Sequence, residues 1–135
     1  MKILLVVVVL GLSTLFGPVV PLNAQEKKED ELLLFLMAAR NAAKAGWADK
    51  AIQRYDAYLK KNPEDKDARL EFADYLQDHG YYEKAGIHYD ILIQKIGGVQ
   101  EGTDVFTKKL MLNAARNAFK NKNEDRAVEY YKQTL

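Results

Sequence analysis

From Glu31 onward the apolar residues return at three- and four-residue steps. Leu32, Phe35, Leu36 and Ala39 make one such stripe, and Ala51, Tyr55, Tyr58 and Leu59 make the next. Steps of three and four put these side chains on one face of a helix, and no run alternates at period two for long enough to build a strand. Gly46, Pro63, Gly80, Gly97 and Gly98 interrupt the pattern where helices should stop. Pro63 also keeps Asn62 from continuing a helix. The pattern predicts an all-α chain of six helices near 30–44, 48–61, 66–78, 82–95, 105–120 and 124–135. Most of the links are short, which makes neighbouring helices antiparallel.

The helices repeat. AARNAAK at 38–44 returns as AARNAFK at 114–120, 76 residues later. GWADKAIQRY at 46–55, GYYEKAGIHY at 80–89 and KNEDRAVEYY at 122–131 align with shifts of 34 and then 42 residues, which together span the same 76. The longer second shift falls on GGVQEGTD at 97–104, a glycine-rich stretch that reads as a loop insertion. The chain is therefore three copies of a helix–turn–helix unit, at about 31–65, 66–96 and 105–135. Alanine at 39, 73 and 115 on the first helix, and at 51, 85 and 127 on the second, removes bulk where two helices cross. Tyr55, Tyr89 and Tyr131 are expected to fill the space against the next helix. One hairpin cannot bury its apolar stripe alone, and stacking three makes a continuous core.

A helical hairpin of 34 residues with these marks resembles the tetratricopeptide repeat. Copy one carries Phe35, Ala38-Ala39 and Ala42, then Ala51, Tyr55 and Pro63. Copy two carries Phe72-Ala73 and Leu76, then Ala85 and Tyr89, with Gly97 at the proline place. Copy three carries Met111, Ala114-Ala115 and Ala118, then Ala127 and Tyr131. Arg69 departs from the pattern, standing where a bulky apolar residue belongs, and Ala42 and Ala118 replace an aromatic. The resemblance covers roughly residues 30–135. It implies a short right-handed α-solenoid whose first helices line a concave face, and a role in protein–protein interaction.

The N-terminus has a different character. Lys2 precedes the apolar run ILLVVVVLGL at 3–12, followed by Ser13, Thr14, Gly17, Pro18 and Pro21, with LNA ending at Ala24. A positive tip, a short apolar centre and a small-residue exit are the order of a secretory signal peptide, here 1–24. An uncleaved anchor is the alternative, although Pro18 breaks the run short of the roughly 20 residues a membrane span needs. Residues 25–30 read as a flexible polar leader. Export is expected, with the periplasm ahead of secretion or membrane anchoring and no membrane span once 1–24 is removed.

Charge and composition narrow the function. Lys and Arg number 20 against 19 Asp and Glu, so there is no basic field for nucleic acid. The absence of cysteine rules out disulfides, thiol catalysis, cysteine metal sites and a lipidated N-terminal cysteine. His79 and His88 are the only histidines; both are expected on the surface, and no metal site or cofactor is expected. Asp74 and Asp78 share a helix face and, with His79, supply the weaker reading of a glycan-acting enzyme. Gly97-Gly98 lacks the lysine and helix start of a phosphate loop.

What the resemblance implies for binding is a stripe of outward residues on the first helices. In copy one these are Leu33, Leu36, Arg40 and Lys44. Copy two adds Asp67, Leu70, Asp74, Gln77 and Asp78, and copy three adds Lys109, Leu112, Arg116, Phe119 and Lys120. Two readings stay open. Leu36, Leu70 and Leu112 form an apolar row beside arginines that take a carboxylate from a protein or peptide partner, or Asp74 bridges Arg40 and Arg116 in a charge ladder that stitches the repeats. On the last helix, Val128, Tyr131 and Leu135 recur at helical spacing with nothing after them to cover them. They are an expected end-docking face, open to self-association. The leading expectation is a non-enzymatic exported scaffold, narrowed by analogy to envelope assembly or exopolysaccharide export. A structural N-terminal segment of a larger repeat protein is the alternative.

Overall fold

The computed structural model describes residues 21–97 and 104–135. The apolar run at 3–12 and most of the expected loop insertion lie outside the described residues. The described chain is all-α: α1 (Leu22–Lys44), α2 (Ala48–Lys61), α3 (Lys66–Asp78), α4 (Tyr82–Ile96), α5 (Val105–Lys120) and α6 (Glu124–Lys132), with no strand among the described residues. Four of the expected helix boundaries hold to within a residue at both ends. The last helix stops at Lys132, three residues early, and the first differs more.

The chain divides into two compact units, residues 1–31 and 32–135. Of the first, residues 22–31 are helical and every described side chain is exposed, so the polar stretch 25–30 is not the flexible leader its charge suggested. The reason is local. Between Pro21 and Gly46 there is neither proline nor glycine, and Gln, Glu, Lys and Ala are strong helix formers. Once the rest of α1 is formed, adding residues to it is cheap.

In the second unit the helices pair as hairpins. α3 packs on α4 and α5 on α6; α4 lies against α5, α2 against α3, and α3 also meets α5. The core runs through all of them, and the crossing alanines sit where the repeat requires: Ala39, Ala73, Ala115, Ala51 and Ala85 are fully buried and Ala127 nearly so. The Tyr55 ring stacks on Phe72 at 4.9 Å between centroids. Across the α1–α2 hairpin, Arg54 Nη1 donates to the Ala38 carbonyl at 2.9 Å.

All three hairpins turn in the same way. Trp47 N–H donates to Ala42 O at 3.0 Å, Tyr81 N–H to Leu76 O at 2.8 Å and Asn123 N–H to Ala118 O at 2.8 Å. Each bond closes a Schellman turn around a left-handed residue. That residue is Gly46 (φ 73°), Gly80 (φ 82°) and, in the third copy, Lys122 (φ 60°). Glycine carries no Cβ penalty in this region, whereas lysine does.

Several side chains depart from their expected places. Arg69 takes the burial of the apolar residue it replaces, at 8% exposure. Its Nη2 donates to Pro63 O at 3.1 Å, and its Nη1 lies 3.3 Å from His88 Nδ1. His88 is therefore not an outward surface residue: it is half-buried, with its ring edge against Phe72 at 4.8 Å. In the third copy Tyr130 is buried and Tyr131 is 41% exposed, so Tyr131 does not fill the core as Tyr55 and Tyr89 do. Those two are covered by α3 and α5; no described helix covers α6 in the same way. Tyr130 turns instead to α4, donating its hydroxyl to Asp90 at 3.0 Å.

Candidate functional site

The groove of interest follows from the polar side chains of α3. Asp67, Glu71, Asp74 and Asp78 recur at steps of four, three and four, which lines them up along one helix face. The start of α5 faces this row. Together they enclose an open groove of about 660 Å³ lined by Tyr55, Asp67, Leu70, Glu71, Asp74, Tyr75, Asp78, Val105, Phe106 and Lys109. Val105 is almost fully exposed and gives the groove an apolar lip.

The two middle carboxylates are held by neighbouring elements. Glu71 receives Arg40 in a forked ion pair, Nη2–Oε2 at 2.6 Å and Nε–Oε1 at 2.8 Å, and accepts the Tyr55 hydroxyl at 2.6 Å. The Arg40 hydrogen bond holds the Glu71 carboxyl below its ordinary range, while burial pulls the other way. Asp74 accepts Asn113 Nδ2 at 2.7 Å and Tyr89 Oη at 2.8 Å on one oxygen, with Lys109 Nζ 3.5 Å from the other. Burial first, and the adjacent carboxylate second, raise the hydroxyls of Tyr55 and Tyr89 well above the ordinary tyrosine range. Both tyrosines therefore stay protonated and donate.

The two outer carboxylates differ. Asp67 and Asp78 are exposed, and neither forms an ion pair among the described residues. Tyr75, also in the groove wall, has a hydroxyl that is buried without a hydrogen-bond partner. Its ring packs against His79 at 4.1 Å, and His79 Nδ1 lies 2.8 Å from the Tyr75 carbonyl.

This arrangement changes several expectations. Asp74 does not bridge Arg40 and Arg116: Arg40 pairs with Glu71, Asp74 with Lys109, and Arg116 is exposed with no ion pair among the described residues. The leucine row is not open to a ligand either. Leu36 and Leu70 are buried, because the next hairpin covers them, while Leu112 is 37% exposed. Leu70 forms groove floor; Leu36 belongs to the core alone. Of the other expected contacts, Asp74, Asp78 and Lys109 line the groove. Gln77 is half-buried and takes a long bond, 3.4 Å, from the Tyr89 hydroxyl. Lys44 and Lys120 are exposed in the last turns of α1 and α5, and Phe119 is exposed, all away from the groove lining. Val128, Tyr131 and Leu135 are exposed as an end face requires.

Tyr55, Glu71, Tyr75, Val105 and Phe106 were missing from the expected groove. For Glu71 a signal existed: a buried tyrosine hydroxyl needs a partner, and Glu71 lies one turn along α3 from the residue aligned with Arg40. Val105 and Phe106 follow directly on the stretch read as an inserted loop, and nothing in their spacing marks them as a lip. Among the described residues no three His, Asp or Glu side chains gather as a metal site, and no helix is long and apolar enough to cross a membrane. No protein-family model matches the chain, and no curated protein matches it.

Proposed function

We propose that this protein is an exported scaffold of stacked tetratricopeptide-like hairpins that holds an extended, basic segment of a partner protein in the α3–α5 groove. The observation that carries the reading is the unequal state of the four α3 carboxylates. Glu71 and Asp74 are already neutralised by Arg40 and Lys109, so they order the groove. Asp67 and Asp78, at its two ends, have no cationic partner among the described residues.

The geometry of α3 then sets the ligand. Eleven residues of helix separate Asp67 from Asp78, about 16 Å at 1.5 Å per residue. An extended chain covers that span in about five residues. The segment that fits carries two Lys or Arg residues about five positions apart, with apolar side chains between them against Val105 and Phe106. Charge-assisted bonds at the ends fix its register, and the apolar middle supplies the burial. Export rests on residues 1–24 as a cleaved signal. Removal after Ala24 takes only the first turn of α1 and leaves the second unit whole. Assembly of the cell envelope or export of a polysaccharide is the setting that suits such a scaffold.

Fluorescence anisotropy on residues 25–135 tests the groove. A labelled peptide with two lysines five apart and leucine or valine between them should bind. The double change Asp67→Lys and Asp78→Lys should weaken it at least tenfold, while Lys44→Glu and Lys120→Glu should leave it unchanged. Equal binding to the charge-reversed protein would sink the reading. The export step is checked separately, by the mass of the N-terminal peptide from the secreted protein, expected to begin at Gln25.

A further inference from the structure

The joint between consecutive hairpins is built twice with the same three positions. At the first joint these are Arg40 on α1, Tyr55 on α2 and Glu71 on the following α3, drawn together by the 2.6 Å Tyr55–Glu71 bond and the Arg40–Glu71 pair. At the second they are Asp74 on α3, Tyr89 on α4 and Asn113 on the following α5, meeting on one Asp74 oxygen. The same register in the third copy gives Arg116 on α5 and Tyr131 on α6. Both are exposed, and no described side chain stands in the third place. The apolar part of the joint is open too: Leu112 is 37% exposed where Leu36 and Leu70 are 7% and 4%, and Val128 is 49% exposed where Ile52 is 9%.

We infer that this end face is a docking site for an amphipathic helix of a partner protein, one that presents a glutamate to Arg116 and Tyr131 as α3 presents Glu71 to Arg40 and Tyr55. Charge chooses this occupant. With arginine at the first position of the triad and a tyrosine hydroxyl donating at the second, the third must accept two hydrogen bonds, which a carboxylate does. Three residues before the glutamate the helix needs a small or apolar side chain, as Ala68 precedes Glu71. A second copy of this chain, stacked head to tail, fits less well. Its α1 would bring Met37 to the acceptor position, leaving Arg116 and the Tyr131 hydroxyl without a partner. The face is distinct from the α3–α5 groove and takes a helix, not an extended basic segment.

The chain's own α3 is the natural probe. Isotope-labelled residues 25–135 are titrated with a peptide of residues 65–80 and with its Glu71→Gln version, reading amide and tyrosine ring shifts by NMR. A short peptide is a marginal helix in water, so the same segment is also tethered after Leu135 by a flexible linker, and that form decides the outcome. Shifts centred on Arg116, Val128 and Tyr131 are expected, with binding about tenfold weaker for the Gln peptide. Arg116→Glu should abolish docking, and Glu71→Arg in the probe should restore it. In the tethered protein, no shift at α5 and α6, or an equal effect of the Glu and Gln segments, overturns the inference. So does concentration-dependent self-association that Met37→Glu abolishes, since it gives the face to a second copy.

Discussion

Tyr55 donates its hydroxyl to Glu71 Oε1 at 2.6 Å, across the joint between the first and second hairpins. The ring of Tyr55 is a packing element, stacked on Phe72, and its tip is a polar fastener. A residue chosen for bulk thus also fixes the register of two helices, because a buried hydroxyl needs a partner and only one rotation of α3 supplies it. Tyr55→Phe keeps the stack and loses the fastener, at an expected cost of about 1 kcal/mol. Glu71→Ala costs more, about 2 kcal/mol, because it strands the buried hydroxyl. Arg40→Ala costs under about 1 kcal/mol, since Arg40 is 44% exposed and solvent screens the pair. Urea denaturation of the single variants and the Tyr55→Phe/Glu71→Ala double variant checks this ranking. The double should fall short of the sum of the singles.

The third hairpin turn carries lysine in a left-handed conformation that the other two give to glycine. Lys122→Gly should raise stability by roughly 0.5–1 kcal/mol, because the Cβ penalty in this region exceeds the entropy glycine loses on folding. The reverse change, Gly80→Lys, meets no steric obstacle near a new Cβ but takes on that conformational penalty, and should destabilise by about 1 kcal/mol. Thermal unfolding of both variants, with the helical circular dichroism signal unchanged, gives the comparison.

Burial, and secondarily the charge of Arg69, hold His88 below the ordinary histidine value of 6.5. The neutral ring then accepts from Arg69 through Nδ1, which places its proton on Nε2. The unfolded chain takes up a proton at His88 at higher pH than the folded chain does, so stability rises with pH across that interval. The contribution is complete above about 6.5 and is lost as pH falls toward the lower folded value. Glu71 and Glu64 are both held below 4.5 by their Arg40 and Lys95 partners, and they lose stability only at more acid pH. Melting temperature between pH 8 and pH 5 should fall for the wild type and stay flatter for His88→Phe. Persistence of the full slope in that variant would assign it elsewhere.

How much of this was legible in the sequence differs by layer. Helix positions were, because Gly46, Gly80 and Pro63 stop helices for backbone reasons that packing cannot override. The crossing alanines were legible because a helix pair approaching closely admits nothing larger, and the repeat marks those positions three times. Pairing of charges was not. Arg40 could reach Glu71 or Asp74, one turn apart on α3, and helix rotation, which the Tyr55 hydroxyl helps to fix, decides for Glu71. Exposure at the stack ends was legible only in part. Tyr131 and Leu112 stand in register with buried residues, and whether they are covered depends on what lies beside them, not on the residues themselves. The outer groove carboxylates Asp67 and Asp78 could be placed on the stripe, whereas the apolar lip of Val105 and Phe106 depends on where α5 begins.

Truncating the leucines separates core from surface on the row that periodicity made equivalent. Leu36, Leu70 and Leu112 hold the same repeat position, yet the first two are buried and the third is 37% exposed. Leu70→Ala should cost about 2–5 kcal/mol, the sum of lost transfer energy and the cavity left beneath the groove. Leu36→Ala should cost about 2–3 kcal/mol, at the lower end because α1 has exposed neighbours on both sides of it that can relax. Leu112→Ala should cost under about 1 kcal/mol, since a side chain already partly in water gives up less on removal and leaves no closed cavity. A helix docked on the end face would change that last value alone. Adding the tethered 65–80 segment should raise the cost of Leu112→Ala toward that of Leu36→Ala while leaving the Leu70 value unchanged. Denaturant midpoints of the three variants, with and without the tether, make the measurement. An equal cost for all three without the tether would mean that Leu112 is already covered in solution.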